Sequence, residues 1–200
     1  MIEINPQNPE YPKIKKAVDV LKSGGVIVYP TDTIYGFGCD IFNKKAVQKI
    51  YEIKKKKISG FSFICPDLKE ISKYAHVSDY AYKIIKRLLP GAYTFVFKAT
   101  KFVPKELIPE KKTVAIRIPN NQICLNLIKQ LGQPIITTSV NITKEPYFSD
   151  PLEIEKEFGE QVDLIIDGGI LQNEPSSVID LSGETALIIR KGKGDVSMFE

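Results

Sequence analysis

Residues 24–38 read GGVIVYPTDTIYGFG, and this stretch decides how the rest of the chain is understood. Val26 to Tyr29 is a continuous apolar, β-branched run, as a strand buried on both faces would be. It stops at Pro30, which cannot donate to a sheet ladder. Beyond it come Thr31, Asp32 and Thr33, three small oxygen-bearing residues, and then Tyr35, Gly36 and Gly38. A buried strand that delivers hydroxyls, a carboxylate and flexible backbone to its C-terminal end has the layout of an α/β ligand site. The alternative is a strand followed by a Pro-Asp turn, its hydroxyls merely capping that turn.

Outward from this stretch, helical and strand patterns interleave. Lys13 to Ser23 reads as a helix ended by Gly24, with Ile14, Ala17, Val18 and Leu21 on one face. Asn43 is placed to cap a second helix carrying Ala46, Val47, Ile50 and Ile53 at helical spacing and ending in the run Lys54 to Lys57. Phe61 to Cys65 reads as a strand, Asp67 to Tyr74 and Asp79 to Leu89 as helices, and Tyr93 to Lys98 and Thr113 to Ile118 as strands. Gln122 to Leu131 is a helix ended by Gly132, and Pro134 to Ser139 an apolar strand that again ends in hydroxyls. Ser149-Asp150-Pro151 starts a further helix. Val162 to Ile166, Ser177 to Leu181 and Ala186 to Arg190 complete the strands. With no long linker, charge block or internal repeat, residues 1–200 read as a single three-layer α/β domain.

Composition fits that reading. Two hundred residues with 43% hydrophobic and 26% charged content suit one globular domain with a sizeable core. Cys39, Cys65 and Cys124 are odd in number, widely spaced and without a C-x-x-C pair, which argues against a disulfide framework or zinc site and for a reducing cytoplasm. The N-terminus lacks an apolar signal-peptide core, and no stretch approaches the length of a membrane span. The net charge of +4 permits an anionic partner. The basic clusters are Lys54 to Lys57, Lys111-Lys112 and Lys191/Lys193. Each reads either as a solvated face or as a phosphate or RNA contact. The sole histidine, His76, falls between two helices and reads as structural or exposed.

Five ordered segments carry a resemblance. YPTDTIYGFG, Pro90 to Thr94 (PGAYT), Val114 to Pro119 (VAIRIP), Thr138 to Asn141 (TSVN) and Pro175 to Leu181 (PSSVIDL) are similar to the signatures of the YrdC-like threonylcarbamoyl-AMP synthase family (YrdC, YciO and YwlC types). SFICPDL at Ser62 to Leu68 and GKGDVSMF at Gly192 to Phe199 look closest to its YciO-like branch. The resemblance implies the YrdC fold, a twisted mixed sheet with helices around a concave, basic face. Some larger synthases carry an added C-terminal domain, and with the last residue at Glu200 none is expected here. The implied activity is that of a nucleotidyltransferase joining L-threonine, bicarbonate and ATP into threonylcarbamoyl-adenylate with release of pyrophosphate. Mg²⁺ would accompany the ATP, and no metal ligands are expected from the protein. The product would feed modification of an adenosine in tRNA, with tRNA, double-stranded RNA and tRNA-modification proteins as possible partners. Such catalysis is positioning plus charge neutralisation, and no Ser-His-Asp triad is needed.

The resemblance also implies site residues. Thr31 and Thr33 match threonine-pocket hydroxyls, with Tyr29 and Tyr35 as its walls. Arg117 lies within the apolar strand VAIRIP, where an unpaired guanidinium is expensive, so it needs a protein carboxylate or a ligand anion unless it faces solvent. The resemblance points to the ligand, which arginine's planar fork suits. Ser139 and Asn141 reproduce an S-x-N pair preceded by Thr138; two residues apart on an extended segment, they face one side. Ser177 and Arg190 match nucleotide-contacting positions. Lys54 and Lys56 match the K-x-R of the synthases, with lysine at 56 in place of arginine and Ile58-Ser59-Gly60-Phe61 in place of the usual loop. Lysine keeps the charge but loses the bidentate fork, which preserves nucleotide binding and weakens the case for full synthase turnover. The rival reading is a double-stranded-RNA- or nucleotide-binding protein on the same scaffold. A third is an enzyme that activates another small acid.

Overall fold

The computed structural model describes residues 1–55 and 61–200. In chain order it runs β1 (Ile2–Glu3), α1 (Tyr11–Lys22), β2 (Ile27–Tyr29), β3 (Gly36–Gly38), α2 (Lys44–Ile53) and β4 (Ser62–Ile64). Then come α3 (Leu68–Tyr74), β5 (Ala75–His76), α4 (Asp79–Leu88), β6 (Tyr93–Ala99), β7 (Thr113–Arg117) and α5 (Gln122–Leu131). β8 (Ile135–Ser139), α6 (Pro151–Phe158), β9 (Leu164–Asp167), β10 (Ser177–Asp180) and β11 (Leu187–Arg190) complete it.

The helices begin where a side chain can accept from the exposed first-turn amides. Asn43 accepts from Ala46 N at 3.0 Å, Asn121 from Cys124 N at 3.1 Å, and Asp150 from Leu152 N at 2.8 Å. Gly132 ends α5 in the left-handed region at φ 79°. α1 starts earlier than its apolar spacing suggests, because Pro12 is tolerated in a first turn.

The strands form one twisted mixed sheet in the order β1-β9-β2-β3-β8-β4-β7-β6-β10-β11, with β5 beside β6. Residues 36–38, expected as flexible backbone, are instead a strand, β3, antiparallel to both β2 and β8. The reason is local. Tyr29 lies across the neighbouring strand, and a Cβ on Gly38 would sit 2.5 Å from Tyr29 Cε1. The glycine makes room for the ring rather than loosening the chain.

Side-chain alternation separates the layers. One sheet face places Ile27, Tyr29, Ile64 and Ile135 against α1 and α5. The other places Val28, Phe63, Phe95, Ile116 and Ile136 in a core shared with α2, α3, α4 and α6. The first face is covered over only part of its area. Ser62 shares the parity of Ile64, and Thr137 that of Ile135, yet both border a cavity instead of a helix. A half-covered sheet face is thus the structural origin of the site.

Cys39, Cys65 and Cys124 are buried free thiols, and burial pushes each up from the ordinary cysteine value. His76 is exposed on β5, paired with Lys98. Among the described residues no helix is long and apolar enough to cross a membrane.

Candidate functional site

A cavity of about 270 Å³ opens on the bare half of the sheet. Its floor comes from successive strands: Gly36 of β3, Thr137 and Ser139 of β8, Ser62 of β4, Ala115 and Arg117 of β7, Thr94 of β6 and Val178 of β10. Tyr35, Phe61, Tyr147, Ser176 and Arg190 close its sides. Among the described lining residues there are two arginines, six serine or threonine hydroxyls from Ser62, Thr94, Thr137, Thr138, Ser139 and Ser176, and no carboxylate. Such a wall attracts anions and offers them directional partners.

Arg117 is only 4% exposed, so it does not face bulk water. One terminal nitrogen donates to Asp32 Oδ1 at 2.6 Å and to Thr33 Oγ1 at 3.2 Å. Of the alternatives open in the sequence, a protein carboxylate is therefore present. Its Nε is also buried and has no hydrogen-bond partner among the described residues. A buried donor left unmade is costly, and this one belongs to a guanidinium that lines the cavity.

The hydroxyls after Pro30 work inside their own loop. Thr31 Oγ1 accepts from the Thr33 and Ile34 amides and donates to Ile34 O at 2.7 Å. Thr33 Oγ1 lies 3.0 Å from it and links it to Arg117. Neither lines the cavity, although both steady the arginine that does. Tyr29 is fully buried under α1 and α5, with its hydroxyl donating to Ile136 O at 3.0 Å, and it too stays outside the cavity. Tyr35 does form a wall. Its hydroxyl donates to Gly169 O at 2.7 Å and accepts from Gly168 N, and burial pushes the phenol up to about 12.

At the far side, Arg190 donates from Nε and a terminal nitrogen to Ser176 O at 3.1 and 2.8 Å. Desolvation is the main cause that lowers this guanidinium from its ordinary value; Arg117 adds to the shift and Tyr147 opposes it. Ser176 also shares a 2.8 Å hydrogen bond with Thr94. Ser177, one residue on, points away from the cavity. It donates to Gly194 O and accepts from Gly192 N at 2.9 Å, fastening the C-terminal segment. Strand parity thus gives the cavity Ser176 rather than Ser177.

Thr138, Ser139 and Tyr147 are shared with an adjoining recess of about 320 Å³, which Lys54 and Asn141 also line. Lys54 is 4% exposed and not part of a solvated helix face. Its ammonium donates to Ser139 O at 2.7 Å and to Asn141 O and Oδ1, each at 2.9 Å. Lys56, Lys57 and residues 58–60 lie outside the described residues. In the other basic cluster, Lys191 pairs with Glu200, and Lys193 donates to Asp32 O at 2.7 Å.

Sequence reading missed Ser62, Thr94, Thr137, Tyr147 and Ser176. For Ser62, Thr94 and Thr137 a signal existed, since each is a polar interruption in a strand whose other face is apolar. Tyr147 sits in an irregular segment and had none.

The family described as "Sua5_yciO_yrdC: Telomere recombination" matches residues 19–192. The chain is 43% identical over 199 residues to the protein named "Uncharacterized protein YciO" of Escherichia coli (strain K12), covering 98% of this chain and 97% of that one. The crystal structure of E. coli YciO superimposes with a TM-score of 0.95 at 42% identity, over 100% of this chain and 98% of the other. Threonylcarbamoyl-AMP synthase of Coxiella burnetii (strain RSA 493 / Nine Mile phase I) is 35% identical over 159 residues, 78% of this chain and 84% of that protein. The P. abyssi Sua5 complexed with L-threonine matches with a TM-score of 0.89 and 29% identity, over 96% of this chain and 58% of its own.

Proposed function

The chain belongs to the Sua5/YciO/YrdC family, and from that premise we propose that it is a threonylcarbamoyl-AMP synthase-like protein. L-threonine, bicarbonate and ATP are its substrates, and threonylcarbamoyl-adenylate and pyrophosphate its products. The observation that carries this reading is the cavity wall itself: Arg117 and Arg190 with six serine or threonine hydroxyls and no carboxylate, among the described residues. Charged phosphate and carboxylate groups would be neutralised by the guanidinium groups. Thr94, Thr137, Ser139 and Ser176 would orient the ligand, so that catalysis is mainly positioning and charge stabilisation. The similarity to a Sua5 that binds L-threonine supports a threonine subsite within the same cavity.

No group of three His, Cys, Asp or Glu that could hold a metal occurs among the described residues. Mg²⁺ enters this reading with the nucleotide, held by the triphosphate oxygens, as is usual for this ion. The product would feed adenosine modification in tRNA. Three buried thiols without a disulfide support a cytoplasmic setting.

The deciding experiment is pyrophosphate release from MgATP with threonine and bicarbonate supplied or withheld. Release that needs both is the expected result; release indifferent to threonine would sink the assignment. The second reading, a nucleotide- or double-stranded-RNA-binding protein with weak or no synthase activity, is favoured by lysine rather than arginine at position 56. It requires ATP binding without threonine-dependent turnover, and RNA binding that weakens steeply with salt.

A further inference from the structure

Lys54 caps the C-terminal end of α2 with its side chain buried against the Ser139–Glu145 segment. A lysine ammonium has three N–H donors. Three oxygens lie within 2.9 Å of this one: Ser139 O at 2.7 Å, and Asn141 O and Asn141 Oδ1 at 2.9 Å. The Phe37 ring lies 5.9 Å from the ammonium. The carbonyl of Lys54 closes the same joint in the opposite direction, accepting from Thr143 Oγ1 at 2.9 Å and from Thr143 N at 3.3 Å.

The consequences reach the cavity. An ammonium beside Asn141 forces the amide oxygen toward it, since the NH₂ group would oppose donor to donor. The NH₂ group is then free to donate to Glu145 O, at 2.7 Å. Ser139 Oγ lies 2.6 Å from the same Oδ1 and must donate to it, which fixes where the hydroxyl proton points.

We propose that Lys54 is a positioning residue: its ammonium is an internal cation around which the Ser139–Glu145 segment folds, setting the amide of Asn141 and the hydroxyl of Ser139 for the ligand. A lysine that instead held phosphate would have to give up at least one of these oxygens. The inference rests on the proposed function only in taking ATP as the ligand.

Two arms test it. In the free wild-type protein with ¹⁵N-labelled lysine, a buried, hydrogen-bonded ammonium gives a slowly exchanging signal, assigned by its loss in Lys54→Arg. Adding tripolyphosphate should leave that signal in place; a specific shift of it would overturn the proposal. In Lys54→Met the side-chain amide resonances of Asn141 should move, and unchanged resonances would also overturn it. The second arm measures ATP affinity. Lys54→Met and Asn141→Ala should each weaken it about tenfold, the size of one lost charged hydrogen bond. The double variant should bind about as poorly as the weaker single one, whereas losses that multiply would show two independent ligand contacts. If the wild type binds no ATP, the proposed function fails, and the resonance arm still judges Lys54. If Lys54→Met does not fold, the wild-type titration still decides.

Discussion

Arg117 and Asp32 stand 85 residues apart in sequence and 2.6 Å apart in space, on β7 and in the loop after β2. The pair ties the end of β7 to the loop after β2 at the cavity's edge. Asp32 Oδ2 also accepts from Asn120 N at 3.0 Å, so the carboxylate ties three segments together. Arg117 is therefore held by the protein on one side, while its unmet buried Nε belongs to a group that faces the cavity.

Breaking this pair should cost more than a surface ion pair would. Both side chains are largely buried, 5% and 11% exposed, so Asp32→Ala leaves an uncompensated guanidinium. We expect a loss of about 3–5 kcal/mol in urea unfolding. Arg117→Met combined with Asp32→Ala should recover part of it. A cost below about 1 kcal/mol would show a pair screened by water.

Ser176 and Ser177 should separate binding from stability. Ser177→Ala removes the hydroxyl between Gly194 O and Gly192 N and should cost about 1–3 kcal/mol, with ligand affinity nearly unchanged. Ser176→Ala should do the reverse, weakening ligand binding through Arg190 and Thr94. Calorimetric titration with MgATP and threonine, beside thermal unfolding, checks both. The opposite pattern would show that the cavity has been assigned the wrong serine.

The two tyrosines of the opening stretch should behave differently. Tyr29→Phe loses one buried hydrogen bond to Ile136 O and should cost about 0.5–1.5 kcal/mol without affecting ligand binding. A clear fall in ligand affinity would return Tyr29 to the cavity wall.

Tyr35 should give an alkaline signature. Its folded value, about 12 through burial, lies above the ordinary tyrosine value of about 10. A raised folded value stabilises the protonated form, so the contribution is complete below the unfolded value and disappears as pH rises from about 10 to 12. Wild type should thus lose stability in that window faster than Tyr35→Phe. Parallel curves from alkaline unfolding would remove this account.

Position 56 tests the synthase reading from the sequence alone. A monodentate ammonium neutralises a phosphate without fixing its orientation. Wild type should bind ATP but form threonylcarbamoyl-adenylate slowly, and Lys56→Arg should raise turnover more than ATP affinity. Robust wild-type turnover, measured by pyrophosphate release, would contradict the first half; no effect of Lys56→Arg would contradict the second.

Local chemistry determined much of this protein in one dimension. Asn43, Asn121, Asp150-Pro151 and Gly132 mark helix ends because capping is decided within a few residues. The run Val26 to Tyr29 is a buried strand because its composition permits little else. Ser139, Arg117, Arg190 and Tyr35, candidates from the motifs they occur in, line the cavity. Tertiary structure decided what each side chain faces. Gly36 to Gly38 became a strand because the ring of Tyr29 needed a flat neighbour, a fact set by a partner strand. Thr31 and Thr33 turned inward onto their loop and Arg117, and Ser176 rather than Ser177 met the cavity, because strand parity is fixed only by pairing with β6. Lys54, part of a run that sequence alone offers to solvent or phosphate, is buried because the Ser139–Glu145 segment, 85 residues away, supplies the oxygens its ammonium requires.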